Sequence, residues 1–542
     1  MDVSPARGSA TARMLHWARG HERTLLPLGL TLALAAYYVT PSPALSLLWL
    51  ALVAALVWRS PRVALALLPL TFPFWFVPKR VYGHLVFPLS EVTLVVIVAV
   101  VAVRAALHLV RAPGLLRPER ARRMALALLG RVGPMTALGG ALLFAGTTLG
   151  VVVALRPHDA LRAWRWEIVE PLVYLALAAW YLRGRRWARL TLWALIGSGL
   201  IIAALASAQV AGLHVTFTPV AAGERLIAYL PTPNTPYRAT AIVYGSGNSV
   251  GEWLERALPV ALAIALLGRG LARRERLLAG AATLALLPAL VWSDSRGAWL
   301  GATAGLGLVA LIWLAPLARR AWTGERVKPT RQGAPDILVY RVWRWPVLVA
   351  AIGALALIAT AGWSLWGAAL LRAVTFGHSS TGEVRLLLWQ AALHMIRDHP
   401  LLGIGPDQFL YYYDPRYTSH PYLISHLNGH PTIAPLQPDF AHPHNLLLDL
   451  WLSAGLLGLV GYTVVVVALV DRVVRLLRRA GAADPWRRVA AVGVVGALLA
   501  TVTHGMVDSA YFLPDLALAF WWGVAALIAL DHARPRQRVD LR

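Results

Sequence analysis

The run NLLLDLWLSAGLLGLVGYTVVVVALV, residues 445–470, carries one charged residue, Asp449. A hydrocarbon core of about 30 Å needs about 20 helical residues, so this run reads as a membrane-spanning helix. His442-Pro443-His444-Asn445 leads into it at the end of a long polar stretch. That places titratable groups at a membrane surface. An imidazole titrates near neutral pH and can accept a proton from a hydroxyl, and a second imidazole and an amide close by can orient it. The plain alternative is an interfacial helix start whose histidines are incidental.

The rest of the chain repeats the pattern. Of 542 residues, 58% are hydrophobic and only 14% charged, and apolar runs alternate with Arg-rich patches. The expected fold is all-α, a polytopic transmembrane helical bundle of about 12–14 spans with a large extracytoplasmic loop containing amphipathic helices. Candidate spans are 25–39, 44–58, 63–77, 86–109, 135–153, 166–182, 190–211, 253–267, 277–292, 297–316, 346–366, 445–470, 489–509 and 514–530. Several are short, so half-helices or interfacial segments are expected among them. The organisation read from this is a basic cytoplasmic N-terminus over 1–24, a transmembrane bundle over 25–366 with an extracytoplasmic loop at 212–252, a large extracytoplasmic loop at 367–444, C-terminal spans over 445–530 and a cytoplasmic tail at 531–542. Arg7, Arg13, Arg19 and Arg23 precede the first apolar run without a small-residue cleavage site close behind it, which reads as a retained helix.

Alternating the spans from a cytoplasmic N-terminus puts most of the 51 Lys and Arg on the cytoplasmic side, as the positive-inside bias requires. The net charge of +25 gathers in the 104–131, 183–189, 269–276, 317–345 and 472–488 loops. Anionic headgroups account for it, and no nucleic-acid partner is expected. Cysteine is absent, which excludes disulfides, thiolate catalysis and Cys-ligated metals. Of the 23 Trp, those near span ends, such as Trp58, Trp75, Trp164, Trp166 and Trp253, read as interfacial anchors.

The two long non-cytoplasmic segments, 212–252 and 367–444, are the expected chemical regions. In the second, Leu386, Leu387, Trp389, Leu393 and Ile396 recur at helical spacing and predict an amphipathic surface helix over Glu383–Asp398, ended by Pro400 and the Gly403-Ile404-Gly405-Pro406 turn. Tyr411, Tyr412, Tyr413, Tyr417 and Tyr422 among His420, His426 and His430 suit sugar stacking, and equally an ordinary interfacial loop.

Basic residues on the non-cytoplasmic side run against the charge bias. Arg296, in Ser293-Asp294-Ser295-Arg296-Gly297 between two spans, must meet a partner or water; a phosphate would supply bidentate acceptors, and a pair with Asp294 or snorkelling is the structural alternative. Arg238 precedes Tyr244-Gly245-Ser246-Gly247-Asn248 at a helix start able to bind anions, with Arg225 nearby. Arg156, Arg162 and Arg165 could bind diphosphate or anchor the span that follows. His504, Asp508 and Asp294 are ionisable groups in or at the edge of the membrane, open to function or to structural pairing.

These segments resemble the O-antigen ligase and polymerase superfamily of bacterial membrane glycosyltransferases. The resemblance rests on Arg238 through Asn248 and Pro259, on Ser295-Arg296-Gly297-Ala298-Trp299-Leu300-Gly301, on Arg385-x3-Trp389 through Pro400-Leu401-Leu402-Gly403-Ile404-Gly405, and on His444-Asn445 through Gly455-Leu456-Leu457-Gly458; His504-x3-Asp508 ahead of Pro514 and Trp521 is a weaker match. It covers about the C-terminal 300 residues, and Gly247-Asn248 departs from the family's usual Pro-Asn. The resemblance implies transfer of a glycan from an undecaprenyl-diphosphate carrier to an acceptor hydroxyl on a lipid or glycan, in the bacterial inner membrane with the site facing the periplasm or cell exterior. It implies inversion at C1. On that expectation His444, Arg296 and Arg238 are catalytic, with His444 as base and the two arginines on the diphosphate. Arg225, Arg385, His442, Asn445 and Asn248 are expected to bind substrate. No cofactor or metal is expected, although His420, His426, His430, His442, His444 and Asp439 offer ligand atoms. A polysaccharide polymerase, a protein O-glycosyltransferase and a lipid-linked glycan transporter are the alternatives, and oligomeric state is not legible.

Overall fold

The computed structural model describes residues 10–82, 85–111, 118–212, 239, 241, 246–268, 270–323, 380–414, 416–418, 442–479 and 485–531. The helices, in chain order, are α1 (Ala10–Val39), α2 (Pro43–Arg59), α3 (Pro61–Leu67), α4 (Leu89–Arg111), α5 (Pro118–Val132), α6 (Pro134–Val153), α7 (Pro157–Trp164), α8 (Glu170–Tyr181), α9 (Arg185–Val210), α10 (Gly247–Leu267), α11 (Arg273–Trp292), α12 (Arg296–Thr323), α13 (Ser380–Asp398), α14 (Phe409–Tyr412), α15 (Leu446–Arg479), α16 (Pro485–Gly505) and α17 (Pro514–Asp531). A π-helical turn, Arg165–Val169, joins α7 to α8, and one short antiparallel pair, β1 (Lys79–Tyr82) and β2 (Leu85–Phe87), precedes α4.

The expected all-α polytopic fold is what the chain adopts. Among the described residues eight helices, α4, α6, α9, α11, α12, α15, α16 and α17, are long and apolar enough to cross a membrane; α2 with Pro61–Leu70, bent by 112°, makes a ninth if the pair is one span. The remaining expected spans have physical reasons for differing. Residues 63–77 break into α3 and two 3-10 turns at Pro69 and Pro73, where proline removes a donor. The 166–182 stretch begins in the π turn and leaves α8 only 12 residues. The span expected at 253–267 lies in α10, which buries Glu252, Glu255 and Arg256. Residues 346–366 lie outside the described residues.

The centre of the bundle is α17, apolar on every side and nearly all buried, as such a helix must be. Trp522 donates to Thr191 Oγ1 of α9 at 2.7 Å, and Trp521 to the Tyr511 hydroxyl at 2.9 Å. Two of the tryptophans expected as interfacial anchors belong to the core instead: Trp75 is buried, and Trp253 is fully buried with its indole N–H on Ser198 Oγ at 2.9 Å.

The run 445–470 is one helix with a break. Gly455 sits at φ 66°, ψ −176°, which a side chain resists. Leu456 N therefore turns away from Leu452 and bonds Leu401 O at 3.0 Å, while the released Leu452 carbonyl accepts Ile404 N at 2.8 Å and Gly405 N at 3.1 Å. The Leu401–Gly405 turn thus completes the hydrogen bonds that the kink opens, each worth about 1 kcal/mol net. Behind the kink α15 lies against α6 on small residues: a Cβ on Gly146 would stand 2.4 Å from Ala454 O and 2.6 Å from Gly458 N, and one on Gly461 2.5 Å from Leu143 N.

The expected helix at 383–398 is present as α13, and its phase differs from the one read. Leu388, Ala391, Ala392, Met395 and Ile396 face a second apolar cluster with Ile404, Phe409, Tyr413, Tyr417 and Leu452, whereas Leu386 and Leu393 are exposed.

Replacing Gly455 with Ala introduces a Cβ 2.4 Å from Leu401 O at a positive φ. We expect a cost above about 2 kcal/mol, read as a Tm several degrees lower in detergent; an unchanged Tm would mean that the kink is not held by the 401–405 turn.

Candidate active site

Asp508 lies just beyond the end of α16, 4% exposed, and side chains from three other segments converge on it. Its Oδ1 bonds His444 Nδ1 at 2.5 Å and accepts Ser509 N at 2.9 Å. Its Oδ2 accepts Asn248 Nδ2 at 2.8 Å and Arg385 Nη2 at 3.1 Å. Burial opposes the ionised carboxyl, yet His444, His504 and Arg385 together hold it well below the usual carboxylate range.

Local sequence explains how each partner arrives. Ser246 caps α10 through Asn248 N at 3.1 Å and sets Asn248 in the first turn. Arg385 and Trp389, four apart on α13, share a face: the guanidinium meets Asp508 while the indole N–H donates to His444 O at 3.3 Å. His444 itself adopts φ 51°, a left-handed conformation that costs about 1 kcal/mol for a residue with a Cβ. Asn445 then caps α15, its Oδ1 accepting Leu447 N and Leu448 N at 3.1 and 3.2 Å and its Nδ2 donating to Met506 O at 3.0 Å. Both ends of the Asn445 amide are thus engaged in aligning the start of α15 with the end of α16.

Among the other expected site residues, His442 is removed from Asp508 and pairs with Asp449 at 3.3 Å. Burial alone would lower its imidazole, but Asp449, with Asp407 and Glu167 beyond, raises it to about 9. Arg296 is exposed at the start of α12, where Ser295 Oγ caps Ala298 N at 3.3 Å. It makes no ion pair with Asp294 or any other described residue. Arg238 and Arg225 lie outside the described residues, as do His420, His426, His430, Asp439 and Tyr422.

The structure bears on two readings that the sequence left open. Tyr413 and Tyr417 are buried in the apolar cluster beneath α13, and Tyr411 donates to Asp159 Oδ2 at 2.7 Å, so these rings do not form an open stacking platform. Their apolar bodies outweigh their hydroxyls once α13 covers them. Of the 156–165 arginines, Arg162 bridges Asp159 and Asp407, both at 3.4 Å, and Arg165 pairs with Glu91 at 2.6 Å and Glu170 at 3.3 Å, an anchoring arrangement.

Sequence reasoning left Asp508 and His504 without a role and missed Glu252, Glu255 and Arg256. The available signals were the four-residue spacing of His504 and Asp508 and three charges within an otherwise apolar stretch. Oxygen and nitrogen atoms of Glu252, His504 and Asp508 approach within 4.8 Å of one another. Asp508 Oδ2 already holds Asn248 and Arg385, and Arg256 lies beside Glu252, so cationic side chains offset these carboxylates and we assign no metal there.

The fold and this site define a multi-pass membrane protein with a largely buried histidine–aspartate pair flanked by arginine. The O-antigen ligase family model matches residues 281–463, from α11 through the first half of α15, so this part of the chain is O-antigen ligase-like, which supports a membrane glycan-transferring function in general. A comparison with curated proteins found no match.

The raised His442 has a consequence for stability. Its folded pKa exceeds the unfolded value, so the contribution is full below about pH 6.5 and fades as pH rises through about 9. The Tm difference between wild type and His442→Gln should shrink over that window; a difference that grows with pH would contradict the pairing with Asp449.

Proposed function

We propose that the protein moves a glycan from a polyprenyl diphosphate carrier to an acceptor hydroxyl at the extracytoplasmic face, as an O-antigen ligase-like transferase. The observation that carries this reading is the bond from His444 Nδ1 to the buried Asp508 carboxylate. A carboxylate at Nδ1 keeps the proton there and leaves Nε2 as the basic nitrogen. In the proposed step the acceptor oxygen attacks C1, its proton passes to His444 Nε2, the bond from C1 to the diphosphate oxygen breaks, and the diphosphate departs with the electron pair. Attack opposite the leaving group inverts C1.

The diphosphate leaves readily, so cations matter more to it than a proton donor does. Arg296 is suited to this by exposure, by the absence of a partner among the described residues and by its position at a helix N-terminus, where backbone N–H groups favour anions. Arg385 uses one nitrogen on Asp508 and is 19% exposed, which leaves other N–H groups for substrate oxygen atoms. Arg238 is retained as a second diphosphate ligand, with Arg225 in a binding role, on the resemblance. Asn248, Asn445 and His442 act by holding the site in shape.

The test is mass spectrometry of products after the purified protein meets a defined undecaprenyl-diphosphate oligosaccharide and candidate acceptors with chelator present. Release of undecaprenyl diphosphate is expected, reduced about 100-fold or more in His444→Ala and about tenfold or more in Arg296→Lys, which keeps charge but loses the bidentate fork. Product mass separates addition to a lipid core from extension by repeat units. Near-wild-type turnover in His444→Ala would remove the base assignment, and intact donor with movement across the membrane would favour transport.

A further inference from the structure

Beneath the site a second set of buried groups takes no part in the steps above. His504 on α16 is 1% exposed, and its Nδ1 meets Glu255 Oε2 of α10 at 3.1 Å. Its Nε2 faces Asp508 Oδ2 at 3.7 Å without a hydrogen bond, and Glu255 Oε1 is also buried without a partner. We propose that Glu255 and His504 are positioning residues for the His444–Asp508 pair, forming a buried series from Glu255 through His504 to Asp508 that fixes the orientation and charge of the Asp508 carboxylate. The inference deepens the transferase reading and rests on it for its catalytic consequence.

Three features support it. The ring stands between two carboxyl groups, Glu255 at Nδ1 and Asp508 facing Nε2, and facing two ionised carboxylates an imidazole is favoured in the form with a proton on each nitrogen. The ring is also held rigidly: a Cβ on Gly297 would lie 2.3 Å from His504 Cδ2, and one on Gly301 2.3 Å from Glu255 Oε2, so α12 closes directly over both groups. The glycines of the Ser295–Gly301 motif therefore shape this series, while Arg296, just before Gly297, is exposed. Finally, Asp508 uses Oδ1 for His444 and Oδ2 for Asn248 and Arg385, so rotation of its carboxylate would misdirect all three. A cationic ring fixed on the inner side opposes that rotation.

The other charged groups here are Glu252 and Arg256 from α10, Arg385 from α13 and His444. Arg256 bonds the Glu252 and Ala510 carbonyls, and so ties the same turn of α10 to the segment after Asp508. A positive His504 adds repulsion against a protonated His444. Its loss makes His444 easier to protonate, so less of it is neutral and able to accept a proton at a given pH.

The experiment follows modification of His444 by diethyl pyrocarbonate against pH in the full-length detergent-solubilised protein, read by peptide mass spectrometry. In His504→Gln the midpoint is expected to rise by about one unit, and in the isosteric Glu255→Gln in the same direction by less; the acid limb of kcat should move with it while donor KM stays unchanged. A midpoint unmoved in both variants overturns the proposal, and if His504→Gln does not fold, an unmoved midpoint in Glu255→Gln overturns it alone. Because the labelling needs no turnover, a shifted midpoint in a protein that transfers nothing would sink the transferase reading and leave this series standing.

Discussion

A carboxylate taken out of water among apolar helices is costly unless charge and hydrogen bonds surround it, and in this protein that requirement falls on Asp508. Four segments answer it. Asn248 comes from the start of α10, Arg385 from α13, His444 from the turn into α15, and His504 from α16 below. Each contributes a group that meets the carboxylate from a different direction, and together they make its burial tolerable.

The second constraint is the break in α15. A straight helix from 446 would offer no free carbonyl at Leu452, and the turn that follows α13 would have nothing to bond. The kink at Gly455 supplies that carbonyl and ties Leu401–Gly405 to the bundle, while Trp451 adds a bond to Pro400 O at 2.7 Å. The end of α13 is fixed in this way. Its other end carries Arg385 and Trp389 to Asp508 and His444, so a backbone detail about three turns into α15 bears on the geometry at its first residue.

The all-α membrane fold was legible because long apolar runs have few alternatives; His444 and Asn248 drew notice at or near the starts of such runs, and Arg385 on the surface helix expected at 383–398. Their common partner was less legible. Asp508 lies 64 positions from His444 and 260 from Asn248, and no local pattern announces a meeting of that kind. Glu255 was hidden by the apolar residues around it, and only the packing of α10 on α16 pairs it with His504. The kink escaped notice because a glycine in an apolar run usually signals close helix packing, as Gly458 and Gly461 do here. The tyrosines after Gly405 were left open between sugar stacking and an ordinary interfacial loop because composition does not report that a helix folds over them. The family match covers Arg296, Arg385 and His444 but not Asn248, Glu255, His504 or Asp508, so half of the constellation comes into view only with the fold.

The central claim is that His444 and Asp508 act as one unit. Initial rates of undecaprenyl diphosphate release in His444→Ala, Asp508→Asn and the double variant test it most directly. The account predicts that each single variant loses most of the rate and that the double variant falls no further than His444→Ala alone, because a unit already broken has nothing more to lose. Losses that multiply, or an Asp508→Asn variant that turns over as wild type does, would show that the two residues act separately and that the bond between them does not serve the reaction.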